Sequence, residues 1–246
     1  MTHPTIVSQT QVVANPSSSM KAVFLTLLLF PGILLAQTTA PMLHPTLHTY
    51  LNARAQEFQQ IDSERKEALI EIARYIRNQN QEGHAAQLIF ICTHNSRRSH
   101  LSQLWAAAAM HFYALPPIES YSGGTEITAF NIRAVKALRA AGFLIPDTTG
   151  DNPVYQISLG PNLPVIGCFS KHYADAPNPK TGFAAVMTCS SADEACPIVF
   201  GASERFAIPY DDPKLADGSP EEAARYAERC QQIAREMLFM ASQIAE

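Results

Sequence analysis

Gln87-Leu88-Ile89-Phe90-Ile91-Cys92-Thr93-His94-Asn95-Ser96-Arg97-Arg98-Ser99 is the stretch on which the fold turns. Leu88 to Ile91 is a short continuous apolar run rich in branched side chains, the signature of a strand buried on both faces of a parallel sheet. The run ends at Cys92. Ser99 then caps a helix through Leu101, Leu104, Trp105 and the alanines to Tyr113, which Pro116-Pro117 stops. The order is strand, loop, helix N-terminus, and in open α/β sheets ligands bind at the carboxyl ends of strands. A loop curling back to a helix N-terminus aims several backbone N–H groups at one point, where the helix dipole adds roughly half a positive charge. A tetrahedral oxyanion suits such a cradle. The same field favours a thiolate at Cys92, and Ser99 is placed to donate a hydrogen bond to its sulfur. Arg98 returns a planar guanidinium that can clamp two oxyanion oxygens at once, which a lysine cannot do. Arg97 is expected to face solvent, and His94 and His100 to flank the loop and tune its field.

Downstream, Ile118 to Tyr121 reads as a second strand closing at Ser122-Gly123-Gly124, and Ala134 to Ala141 as a helix stopped by Gly142. From Pro146 to Lys180 the chain is rich in Pro, Asn, Asp and Gly around short strand-like pieces at 154–157 and 164–166, an excursion from the core. Phe183 to Met187 makes a third buried strand and Arg205 to Ile208 a fourth. Ser219-Pro220-Glu221-Glu222 then opens a last helix, with Tyr226, Cys230, Ile233, Met237 and Ile244 at helical spacing. Strands alternating with helices predict an α/β fold: a small four-stranded parallel sheet with helices on both faces. Upstream, Leu47, Leu51, Phe58, Ile61, Leu69, Ile72 and Ile76 recur among charges, as in one or two amphipathic helices forming an N-terminal helical extension.

Of 246 residues, 47% are hydrophobic and 16% charged, enough apolar material for a core, which excludes a wholly disordered chain. The net charge of −4 carries no basic surplus of the kind a nucleic-acid binder needs. From Met20, Lys21 precedes an apolar run from Ala22 to Ala36 and then polar Gln37-Thr38-Thr39, the pattern of a secretory signal cleaved after Ala36. The run is short for a span, which takes roughly 20 residues, so no stable membrane insertion is expected after cleavage. This divides the chain into 1–36, upstream segment and signal; 37–86, helical extension; and 87–246, catalytic domain. Export to the periplasm follows; a cytoplasmic protein follows instead if the true start is Met42. The eight histidines show no metal-ligand spacing, and no metal or resident cofactor is expected.

Cys92-x5-Arg98-Ser99 after a buried strand, followed by Tyr121-Ser122-Gly123-Gly124 and by Asn131 to Gly142, resembles the low-molecular-weight protein tyrosine phosphatase superfamily. The resemblance implies Cys92 as nucleophile, Arg98 as oxyanion clamp, and Asn95 and Ser99 as residues holding the loop Thr93, His94, Asn95, Ser96, Arg97. It also implies a general acid in an Asp-Pro pair, here Asp212-Pro213, in preference to Asp211. The chain departs from the family in having His94 where Gly is usual, Ile132 where the frequent Asn-Pro has its Pro, and Arg97 where Cys is frequent.

Cys189 begins where the third strand ends, so it should emerge on the same edge as Cys92. The block Val186-Met187-Thr188-Cys189 through Cys196-Pro197-Ile198, with Asp211-Asp212-Pro213 after it, looks like the thioredoxin-coupled arsenate reductases. That resemblance implies a triad in which Cys92, Cys189 and Cys196 reduce arsenate to arsenite, with an external thioredoxin-like protein as partner and no bound cofactor. Three alternatives stand: a phosphatase acting on phosphotyrosine or a small phosphate ester through a phosphocysteine, a non-catalytic oxyanion binder, and a plain structural disulfide between Cys189 and Cys196. Cys168 and Cys230 read as packing residues.

Overall fold

A computed structural model describes residues 42–195 and 198–245 of the chain. The expected signal at 20–36 and Cys196 lie outside the described residues. The described chain opens on helix α1 (Pro45–Ala55), whose first residue is a proline fixed at the helical φ. Helix α2 (Ser63–Gln81) follows, started by Asp62, whose carboxylate accepts from the Arg65 amide at 2.7 Å. Then come β1 (Gln87–Cys92), α3 (Arg98–Phe112), β2 (Glu119–Gly124) and α4 (Ile132–Ala141). The segment after α4 holds the short strands β3 (Tyr155–Ile157) and β4 (Ile166–Cys168), and the fold closes with β5 (Phe183–Met187), α5 (Ser190–Ala195), β6 (Ala202–Ala207) and α6 (Glu222–Ala245).

Strands β2-β1-β5-β6 form one parallel sheet in that order, and β3 pairs antiparallel with β4 apart from it. Side-chain alternation along β1 sends Leu88 and Phe90 to one face and Ile89 and Ile91 to the other, and both faces are dry. The first face carries the main core with α1, α2, α3, α4 and α6. The second is covered by α5 and by Tyr173. The fold is therefore the expected α/β architecture, with the helical cover unequal between faces.

Three differences from the sequence reading have physical causes. The fourth strand begins at Ala202, three residues early; β6 is an edge strand whose Glu204 is exposed, so its start carries no apolar signal. The last helix begins at Glu222, and Ser219 instead accepts from the Glu221 amide at 3.2 Å within the preceding turn. The region 146–180 is part of the core, contributing Tyr155, Ile157, Leu159, Leu163 and Cys168. Helices α1 and α2, the expected N-terminal helical extension, share the main core through buried Leu47, Leu51, Leu69, Ile72 and Ile76.

Candidate active site

The loop from Cys92 to Arg98 joins the carboxyl end of β1 to the N-terminus of α3, as its sequence implies. Cys92 is buried, its Sγ 3.1 Å from Ser99 Oγ. Asn95 Nδ2 donates to that same oxygen at 2.9 Å, which leaves the Ser99 hydroxyl proton free to point at the sulfur. Asn95 itself has φ 44°, a left-handed turn that asparagine tolerates, and its Oδ1 accepts from the Lys171 amide at 2.9 Å.

Neighbouring segments take up the loop carbonyls. Those of Cys92, Thr93 and Ser96 accept from the amides of Thr125 (3.3 Å), Glu126 (2.8 Å) and Asn131 (2.9 Å). That of His94 accepts from Ser170 Oγ at 2.9 Å and Thr128 Oγ1 at 3.1 Å. With the C=O ends of these peptides turned outward, their N–H ends are left for an anion at the centre.

Opposite the loop stands Asp212. Arg98 donates to its Oδ2 at 2.9 Å and to the Tyr210 carbonyl at 3.0 Å. Arg97 approaches it with Nε 2.8 Å from Oδ1 and its terminal nitrogen 3.2 Å from Oδ2. Arg97 thus departs from the expectation that it faces solvent: it is 7% exposed, and burial of its charge is tolerable because Asp212 pairs with it. Burial alone would raise the Asp212 pKa, but the charges of Arg98 and then Arg97 outweigh it and hold the carboxyl below its ordinary value. Asp211 points away, 3.3 Å from Arg229.

Cys189 is buried at the end of β5, with its Sγ 3.5 Å from Thr93 Oγ1, so the structure brings the second thiol to the loop that carries Cys92. Thr188 ties the two strands there, its amide and hydroxyl both donating to the Ile91 carbonyl at 2.7 and 2.8 Å. Cys196 falls outside the described residues. Burial pushes the Cys168 and Cys230 thiols up to about 12, which leaves both protonated at neutral pH, in keeping with packing roles. His94 Nε2 sits 3.1 Å from a Glu126 carboxylate oxygen. His100 is buried against Phe130 with Nδ1 3.0 Å from Ser122 Oγ, and burial, then the Lys171 charge, pushes its pKa down, so it stays neutral. Beside the loop lies a cavity of about 490 Å³ lined in part by His94, Arg97, Phe130, Tyr155 and Lys214.

Sequence reasoning missed the brace formed by Ser170 and Lys171, for which no local signal exists. It also missed the Arg97–Asp212 pair, whose partners lie 115 residues apart in the chain.

No family model matches the chain. It is 29% identical over 142 residues to an arsenate reductase of Bacillus licheniformis, covering 58% of this chain and 84% of that protein. It is 28% identical over 142 residues to the arsenate reductase of Bacillus subtilis, with the same coverage of 58% and 84%. Among solved structures, a YwlE mutant from Bacillus subtilis aligns with a TM-score of 0.46 at 14% identity, over 66% of this chain and 100% of that one. A thioredoxin-dependent arsenate reductase of Corynebacterium glutamicum aligns with a TM-score of 0.35 at 16% identity, over 76% of this chain and 92% of that one. With its parallel sheet, its Cys92-to-Arg98 loop and these sequence relatives, the chain is similar to the arsenate reductases of these two organisms.

Proposed function

We propose that the protein reduces arsenate to arsenite through a cysteine relay. The observation that carries this reading is Cys189 Sγ beside Thr93 of the Cys92 loop, since hydrolysis of a phosphate ester needs no second thiol there. In the first step the Cys92 thiolate attacks arsenic of an arsenate held by the loop amides and Arg98. A sulfur–arsenic bond forms, and an oxygen protonated by Asp212 leaves as water. Cys189 then attacks the Cys92 sulfur. A disulfide forms, the electron pair of the broken sulfur–arsenic bond passes to arsenic, and arsenic leaves reduced as arsenite. Attack by Cys196 on Cys189 moves the disulfide outward and frees Cys92, and a thioredoxin-like dithiol reduces it.

The expected outcome is arsenite formation with a thioredoxin system that falls to background in Cys92→Ser, Cys189→Ser and Cys196→Ser alike. A second reading, hydrolysis of an aryl phosphate, draws on the 490 Å³ cavity with Phe130 and Tyr155, which is roomy for a free oxyanion. Fast aryl phosphate hydrolysis that needs Cys92 and ignores the other two thiols would replace the first reading with the second. Oxyanion binding without turnover, retained in Cys92→Ser, would replace both. The reading includes export with cleavage after Ala36, and hence a dedicated reductant outside the cytoplasm, because the bacterial periplasm is held oxidising. N-terminal sequencing of the purified protein tests this: Gln37 as first residue supports export, and Met42 places the protein in the cytoplasm.

A further inference from the structure

Arg98 divides its donors between the segment that bears Asp212 and any oxyanion held in the loop. Its two terminal nitrogens are committed to the segment facing it, one to the Tyr210 carbonyl at 3.0 Å and one to Asp212 Oδ2 at 2.9 Å. Its Nε has no hydrogen-bond partner among the described residues, so a bidentate clamp made of Nε and one terminal nitrogen would turn the fork and draw a donor away from this segment. When Arg98 turns, Asp212 would be left as a largely buried carboxylate next to an incoming anion. Arg97 meets both carboxylate oxygens, at 2.8 and 3.2 Å, and the Lys214 amide holds Oδ1 at 3.1 Å.

We propose that Arg97 is a positioning residue that keeps Asp212 over the loop when Arg98 leaves it for the oxyanion. This rests on the reading of the loop as an oxyanion site and of Asp212 as proton donor. Arg97 touches neither substrate nor sulfur in this role; it acts through Asp212. The other groups around that carboxyl are Arg98 from α3, Lys214 on its own segment, and Tyr226 from α6, whose hydroxyl donates to Asp217. Held by two guanidinium groups, Asp212 stays ionised. Held by one, with an anion arriving, it is freer to take up the proton that the leaving oxygen needs. The transfer of Arg98 therefore couples substrate binding to arming of the acid, provided Arg97 keeps the carboxyl in place.

The test follows the Asp212 carboxyl by carbon-13 NMR through a pH titration of the full chain, with and without saturating inorganic phosphate, in wild type, Arg97→Gln and Arg97→Lys. Phosphate should raise the wild-type midpoint, and Gln should raise it further by about one pH unit in the phosphate-bound protein. If phosphate binds and Gln leaves that midpoint unmoved, the proposal is overturned while the oxyanion site stands. If phosphate fails to bind wild type, the site reading fails and takes the proposal with it. Should Gln unfold the loop, the Lys variant decides: a point charge in place of a fork should shift the midpoint upward by a smaller amount, and a wild-type midpoint overturns the assignment.

Discussion

At Asp212 the charges of Arg98 and Arg97 outweigh the burial of the carboxyl, and this balance sets the sign of a pH dependence. A folded-state pKa below the unfolded value of about 3.9 means that the ion pairs stabilise fully above that value. Their contribution is lost as pH falls through the folded pKa. Asp212→Asn should therefore lower stability by about 2 kcal/mol at neutral pH, in the range for charged hydrogen bonds, and the gap to wild type should close in strong acid. Thermal unfolding across a pH series measures it. A gap that widens on acidification would mean that the two guanidinium groups are not what Asp212→Asn removes. Cys92, Arg98 and Ser99 could be read from the sequence because their spacing alone carries the geometry. Arg97 could not, since an arginine after a loop has the same local pattern whether it meets water or a carboxylate far along the chain.

At the scale of elements, the end of β2 presses on the loop after β1. A Cβ at Gly124 would lie 2.7 Å from the Asn95 amide nitrogen and 2.8 Å from the Thr93 carbonyl oxygen, both backbone atoms with nowhere to go. Gly124→Ala should therefore displace the loop, costing about 1–3 kcal/mol of stability and weakening phosphate binding by at least tenfold. Gly167→Ala, whose added carbon would meet its nearest neighbour at an ordinary 3.6 Å, is the matched control. Equal phosphate affinity in the two variants would show that the loop is not shaped by β2. The paired glycines after Tyr121 were legible as a strand end, and β1 and β5 as buried strands, because apolar runs and small residues report burial directly. The first residues of edge strand β6 and the brace from Ser170 and Lys171 were not, because exposed positions and backbone donors leave no imprint on residue type.

For the whole molecule, the question is whether α1 and α2 can be separated from the sheet domain. Leu47, Leu51, Leu69, Ile72 and Ile76 are all buried in the same core as Leu88 and Phe90. Removing them exposes their partners, and about 1.5–3 kcal/mol for each buried side chain exceeds the 5–15 kcal/mol that stabilises a typical domain once several are lost. Helix α2 also reaches the site: Arg65 donates to the Pro209 carbonyl at 2.6 Å and lies over the Tyr210 ring, 5.2 Å from its centre, just ahead of Asp212. A chain beginning at Gln87 should accordingly show no cooperative thermal transition and bind no phosphate, whereas one beginning at Gln37 should do both. Near-ultraviolet circular dichroism through a thermal ramp separates the cases. A cooperative transition in the shorter chain would make the helices a removable extension, and intact phosphate binding there would show that the segment bearing Asp212 needs no support from Arg65.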